Sequence, residues 1–278
     1  MLCQVEQSID RSDTNAPAPT PLNVNFHEYD SSAAMGQAAL AALAAEIALA
    51  ITYNGLNQAV MMVSPGNLED FIRGFSVSNA IVQDQSEIYD LRLSYFDQAV
   101  QADVQISSRA FWALKHHRRQ MAGTSGCGLC GVEALEQALP KLDILDPVAL
   151  PPTQHFIGIR ERIEHAQQMA RSSGALHAAL YFDNQGSALI CREDIGRHNA
   201  LDKLIGALQH AGIDSRCGFT VVTSRCSLEL IHKAVRAKLG TLVSLSAPTA
   251  LTVQWAIKHR LNLIHVPHRN APRLYSPA

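Results

Sequence analysis

An excess of charge of either sign is missing from this 278-residue chain: 23 Lys and Arg stand against 25 Asp and Glu, a formal charge of −2. That balance gives no overall pull toward nucleic acid or an anionic membrane, so neither is expected as a partner and any electrostatic function has to be local. A basic n-region with a cleavage-like site is also missing at the N-terminus, and the expectation is a cytoplasmic protein with reduced thiols. The six cysteines are irregularly spaced in a chain too large to need a disulfide framework. Such cysteines serve catalysis, metal binding or packing. Long apolar runs are nearly missing too. Ala33 to Ile51 comes closest, at about the length that spans a bilayer, but Gln37 and Glu46 interrupt it and alanine is only weakly apolar. A helix leading into a strand is expected there.

What remains is an ordinary globular composition, 47% apolar and 17% charged, in a chain long enough for one large domain or two modest ones. Residues 1–35 are polar and Pro-rich without periodicity and read as a disordered tail. Residues 36–144 read as a smaller, strand-rich α+β domain. EIALAITYNGLNQAVMMVS gives two strands about the Asn54-Gly55 turn, and Ser64-Pro65 opens a helix striped by Leu68, Phe71, Ile72 and Phe75. LRLSYFDQAVQADVQIS is further strand, and Ser107 caps a helix carrying Phe111, Trp112 and Leu114. VEALEQAL is a short helix. The Pro-rich residues 145–154 form a linker. From 155 to 278, strand and helix patterns alternate: a helix over FIGIRERIEHAQQMARSS, strands at ALHAALYF and SALICRED, helix RHNALDKLIGALQHAG, then FTVVTSR, LELIHKAVRAKLG, TLVSLSA, TALTVQWAIKHR and a last strand LNLIHVP. This order predicts a three-layer α/β domain on a mostly parallel sheet.

The chemistry-bearing stretch is GTSGCGLCG, residues 123–131, directly after the basic LKHHRRQMA. A structural zinc site needs four ligands; one Cys-x-x-Cys pair is present, and Cys191, Cys217 and Cys226 are scattered. No metal site is expected. Dithiol redox chemistry fits the spacing, but thioredoxin-type pairs open a helix directly after a strand, near the start of a compact domain. The glycines give slack suited to a thiol that travels between partners, and the preceding cations favour the reactive thiolate. The plain alternatives are a tight loop whose cysteines merely pack and, for the cations, a solvated basic helix face.

Four motifs in order resemble the FdhD family of formate dehydrogenase accessory sulfurtransferases. They are LAITYNGLNQAVMMVSPGNLEDFIRGFSVSNAIV, GTSGCGLCGVEAL, REDIGRHNALDKLIG and VTSRCSLELIHKA, and the likeness runs from about Ile47 to Tyr275. The resemblance implies a sulfur carrier that takes persulfide sulfur from a cysteine desulfurase. The sulfur then passes to the molybdenum bis-guanine-dinucleotide cofactor, as needed by the formate dehydrogenase catalytic subunit. It implies Cys127 as the persulfide carrier, Cys130 as the second thiol that assists or resolves, only transient cofactor binding, and a homodimer. A non-covalent cofactor-binding chaperone is the alternative function.

The resemblance also implies a cytidine-deaminase-like fold for the C-terminal domain. Deamination itself is not expected, because the His-x-Glu and Pro-Cys-x-x-Cys elements it needs are missing. For cofactor binding, Arg197 and His198 begin a helix whose N–H groups suit phosphates; Asp202 could instead orient His198, or Asp194 and Gly196 could simply make the turn. Ser224 and Arg225 end a strand where ligands gather in α/β sheets, and His177 reads as a core histidine. The family's cofactor loop corresponds to Val266, Pro267, His268, Arg269, Asn270 and Ala271. This loop keeps its donors, with Arg273 beyond it, but lacks the family's glycines, and a cysteine that some members carry near Ala175 is missing. Both departures suggest an altered cofactor preference.

Overall fold

The computed structural model describes residues 22–27, 38–122 and 139–276. Strands β1 (Leu22–His27) and β2 (Ala38–Leu43) pair antiparallel as a ribbon, and β3 (Ile47–Tyr53) follows at once. The Ala-rich run expected to be helical is therefore strand at 38–43, and part of the expected tail is its partner. Alanine's helix propensity is a weak prior, and the alternating Leu22, Val24 and Phe26 supply a ladder that outweighs it.

β3 turns back through Asn54 and Gly55, both at positive φ (46° and 78°), as a type I′ turn requires, into β4 (Leu56–Val63). With β5 (Ile88–Tyr95) and β6 (Ala99–Ile106) these form a sheet in the order β4-β3-β6-β5, in which β3 and β6 run parallel. Helix α1 (Leu68–Ser78) begins four residues beyond Ser64 rather than at it, entered through Asn67 in the left-handed region. Its predicted stripe is buried on the sheet beside Leu49, Ile51, Tyr53 and Val104. Helix α2 (Ser108–Ala122) adds Ala110 and Leu114 to that core. Ser107 Oγ accepts the Ala110 N–H at 3.1 Å and bonds the Glu87 carboxylate at 2.5 Å.

The second half begins with an irregular strap. Leu145 sinks into the core with its N–H on His259 O at 3.0 Å. The single helix expected after it is two, α3 (Ile159–Ala166) and α4 (Ala170–Ser173). The buried Glu193 carboxylate accepts the backbone N–H groups of Gln168, Met169 and Ala170, ending one helix and starting the next. Strands β7 (His177–Phe182), β8 (Ala188–Asp194), β9 (Phe219–Val222), β10 (Thr241–Ser244), β11 (Asn262–His265) and β12 (Arg273–Ser276) form a sheet ordered β12-β11-β10-β9-β7-β8.

Only β9-β10 and β10-β11 pair parallel; the other pairs are antiparallel. The mostly parallel sheet expected is thus mixed, because β7-β8 is a hairpin and because LNLIHVP is not the last strand. Helices α5 (Arg197–His210), α6 (Leu228–Arg236) and α7 (Ala250–Lys258) cover one face. Phe156 and α3 cover the other.

The halves are joined where α1 crosses α5. A Cβ on Gly74 would meet Asp202 O at 1.8 Å, and one on Gly206 would meet Asp70 O at 1.9 Å, so the two backbones touch. Around this crossing Lys203 bonds Asp194 at 2.7 Å with both side chains fully buried, and Lys233 bonds Asp202 at 2.7 Å. Asp202 also accepts from Ser78 Oγ at 2.6 Å. Asp194 accepts the Ser64 N–H, and Lys203 donates to Ser64 O, both at 2.9 Å. Burial lowers the Lys203 pKa and raises that of Asp202. We expect Gly206→Ala to cost about 3 kcal/mol through overpacking, read as a lower urea midpoint, with Gly212→Asn, in open space at φ 65°, nearly silent. An unchanged midpoint for Gly206→Ala would refute the backbone contact.

Candidate functional site: the carboxyl edge of the mixed sheet

β8, β9, β10 and β11 all run toward one edge of the six-stranded sheet, and β7 starts there, since His177 pairs with Asp194. That edge therefore gathers Arg197 and His198 after β8, Ser224 and Arg225 after β9, and residues 266–271 after β11. Four strand spacings of about 4.8 Å separate β8 from β11, roughly 19 Å along the edge. The two predicted cofactor-binding groups share an edge without forming one cluster.

At the β8 end the turn is made by a carboxylate. Asp194 Oδ1 accepts the Gly196 N–H and the Asn199 amide, each at 2.9 Å, and a Cβ on Gly196 would meet Asn199 Nδ2 at 2.7 Å. The conspicuous REDIGRHNALDK run is in large part structural. Arg192 pairs with Asp70 at 2.8 Å, and Asn199 donates to Met62 O at 3.0 Å. Asp202 does not orient His198; its carboxylate is taken by Ser78 and Lys233. His198 Nε2 lies instead 3.3 Å from Ser227 Oγ and 3.5 Å from the Glu229 carboxylate. Arg197 keeps a buried Nε with no hydrogen-bond partner among the described residues.

At the β11 end Val266 is buried, its N–H on Ser244 O at 2.9 Å. His268, Arg269, Asn270 and Ala271 are exposed and Pro267 is half-buried. The segment is the turn of a β11-β12 hairpin. Arg160, which sequence reasoning passed over, donates to Leu245 O at 3.1 Å and Val266 O at 2.9 Å, tying the loops after β10 and β11 together. No periodicity in RERIEH marks it for that task. His265 stacks on Tyr275, and its Nδ1 is buried without a partner among the described residues.

The edge is cationic, and three of its imidazoles have lowered pKa values. Burial, then the Arg197 charge, lowers the pKa of His177 and of His198; burial, then Arg273 and Arg160, lowers that of His265. His177 is half-buried on this edge rather than in the core. Cys191 and Cys226 are poor nucleophiles, burial pushing each thiol up to about 12. Cys127 and Cys130 lie outside the described residues, as do residues 132–138 of the helix expected at VEALEQAL. Among the described residues no group of three or more His, Cys, Asp or Glu could hold a metal ion, and no helix is long and apolar enough to cross a membrane.

A mixed α/β protein with a cation-lined carboxyl edge is the class these features define. The chain belongs to the FdhD/NarQ family, whose model matches residues 44–278. It is 40% identical over 224 residues to the sulfur carrier protein FdhD of Cupriavidus necator, covering 80% of this chain and 77% of that one. It is 38% identical to the protein of that name from Bordetella petrii, covering 84% of each, and 41% identical to that of Xanthomonas euvesicatoria pv. vesicatoria, covering 80% and 79%. A crystal structure of a Desulfotalea psychrophila protein assigned to the formate dehydrogenase accessory proteins superposes with a TM-score of 0.71. It covers 93% of this chain and 97% of that one at 20% identity, which speaks to the fold alone.

A pH dependence follows from the imidazoles. In the interior, burial lowers His232 from 6.5 to about 4 beside Trp255, their ring centroids 4.8 Å apart. Between these values the unfolded chain binds the proton and the folded one does not, so stability falls as pH drops from 6.5 toward 4. In urea unfolding at pH 7.5 and pH 5.5, His232→Phe is expected to narrow the gap between midpoints. An unchanged gap would exclude His232 as a source.

Proposed function

We propose that the chain is a cytoplasmic sulfur carrier that accepts persulfide sulfur from a cysteine desulfurase and passes it to the molybdenum bis-guanine-dinucleotide cofactor for formate dehydrogenase. The observation that carries the reading is the family match over residues 44–278, with relatives named sulfur carrier proteins at 38–41% identity. In this reading the Cys127 thiolate attacks the outer sulfur of the donor persulfide. That sulfur–sulfur bond breaks, a new one forms at Cys127, and the donor leaves as its thiolate. The Cys130 thiolate then attacks the inner sulfur, closing a Cys127–Cys130 disulfide and releasing hydrosulfide to the metal. The dithiol supplies the two electrons, so atoms and charge balance without another reductant.

The cofactor is substrate here, with phosphates that suit a cationic edge. The Arg197 Nε, without a partner among the described residues, and the exposed Arg269 support contacts at Arg197, His198 and residues 266–271. We also infer a cytidine-deaminase-like layering for the six-stranded half and a homodimer in solution.

Incubation with a desulfurase and cysteine is expected to add the mass of one sulfur to the wild type and none to Cys127→Ala. An unmodified wild type, or equal labelling of the variant, sinks the sulfur-carrier assignment and leaves a non-covalent chaperone. Separately, Arg197→Ala and Arg269→Ala should each weaken guanine nucleotide binding about tenfold, the worth of a hydrogen bond to a charged group. Unchanged affinity for both in calorimetry would put the phosphates elsewhere.

A further inference from the structure

Helix α2 buries one face and leaves another bare. Ala110 and Leu114 enter the core, whereas Arg109, Trp112, Ala113 and His116 are exposed, a stripe at the i, i+3, i+4, i+7 spacing of one helix side. Trp112 is 60% exposed. Tryptophan is normally well covered in a folded chain, and a single large exposed ring needs no explanation unless its setting supplies one.

Three features of the setting do. The helix is held rigidly at its start by Ser107 on Glu87 and by the Arg109–Glu87 ion pair at 2.9 Å, so the stripe has a fixed direction. Lys115 Nζ lies 5.0 Å from the Trp112 ring centroid and 5.5 Å from that of Phe111, a cation on an aromatic platform. The helix also carries four cationic residues, Arg109, Lys115, Arg118 and Arg119, and no carboxylate, in a chain whose total charge is slightly negative. From Trp112 to Ala122 the helix rises about 15 Å, and the chain then passes directly into the Cys127 segment.

We propose that this face of α2 is the docking surface for the protein that donates the persulfide, with Trp112 as its anchor and an acidic rim on the partner as its complement. The proposal rests on the sulfur-carrier reading. A small-molecule donor meets the thiol by diffusion, whereas a protein donor has to be held while its own thiol reaches Cys127. An exposed aromatic with Lys115 over its ring, on the rigid element that leads into that segment, meets this need. Tryptophan and arginine are the residues that most often dominate protein interfaces, and the cations would speed encounter with an acidic partner.

The test compares two sulfur sources on the full-length chain: a cysteine desulfurase with cysteine, and inorganic polysulfide. Trp112→Ala and His116→Glu, which adds a negative charge, are both at exposed positions and are expected to leave the urea midpoint unchanged. With the desulfurase, each should raise the carrier concentration for half-maximal loading about tenfold or more. Added salt should weaken wild-type loading in that arm. With polysulfide, all three proteins should load alike. Equal desulfurase-driven loading of wild type and Trp112→Ala overturns the docking surface while leaving the carrier intact. So does an equal loss with both sources, which would mean that Trp112 acts through the fold. A wild type that takes sulfur from neither source removes the carrier reading itself, and the docking surface with it.

Discussion

At Gly74 and Gly206 two helices from different halves of the chain meet backbone to backbone, and the neighbouring buried charges can exist only because of that contact. With a side chain at either glycine, α1 and α5 would move apart. Lys203 and Asp194, both fully buried, would then lose the carbonyl and N–H of Ser64 that complete their hydrogen bonding. An unpaired charge in that position would be far more costly than the pair is beneficial. The crossing therefore acts as a specificity device: it admits one relative placement of the two sheets. It also explains why α1 starts late, since Ser64 and Met62 are spent on Asp194, Lys203, Ile195 and Asn199 instead of opening a helix.

The same interface governs the candidate edge. Asp194 lies at the end of β8 with one carboxylate oxygen facing the N-terminal half and the other making the turn into α5. The docking of the halves thus sets where Arg197 and His198 emerge. At the far end Arg160 performs the corresponding task for the hairpin turn, fastening it to the loop after β10. Between them lies a surface on which arginines stand beside three histidines, His177, His198 and His265, whose pKa values burial lowers. This arrangement suits an anion bound by fixed cations.

Much of this was legible in residue order. The Asn54-Gly55 hairpin, the Leu68–Phe75 stripe, the Ser107 cap and the run of strands and helices after β7 are encoded within a few neighbouring residues. Errors fell where distant residues decide. Ala38–Leu43 is strand because LNVNFH lies alongside it. The helix after the strap breaks because Glu193, some 25 residues on, takes its amides. Arg273–Ser276 is too short a segment to announce a strand until β11 offers an edge. Of the candidate edge, the position of Arg197, His198 and the 266–271 turn just after strands was readable, but the role of Arg160 was not, because a guanidinium reaching two loops 85 and 106 residues away leaves no local pattern.

By itself the sequence determined the family, through four ordered motifs, and the local elements, through side-chain periodicity and turn chemistry. The tertiary structure decided which charged residues of REDIGRHNALDK are spent on packing the two halves and which stand at the carboxyl edge. Asp194, Lys203 and Asp202 are consumed at the seam between the halves, and Arg197 is left at the edge with a nitrogen that has no partner among the described residues. Proximity in sequence says that these groups can act together; only burial and partner geometry say which of them already have a partner.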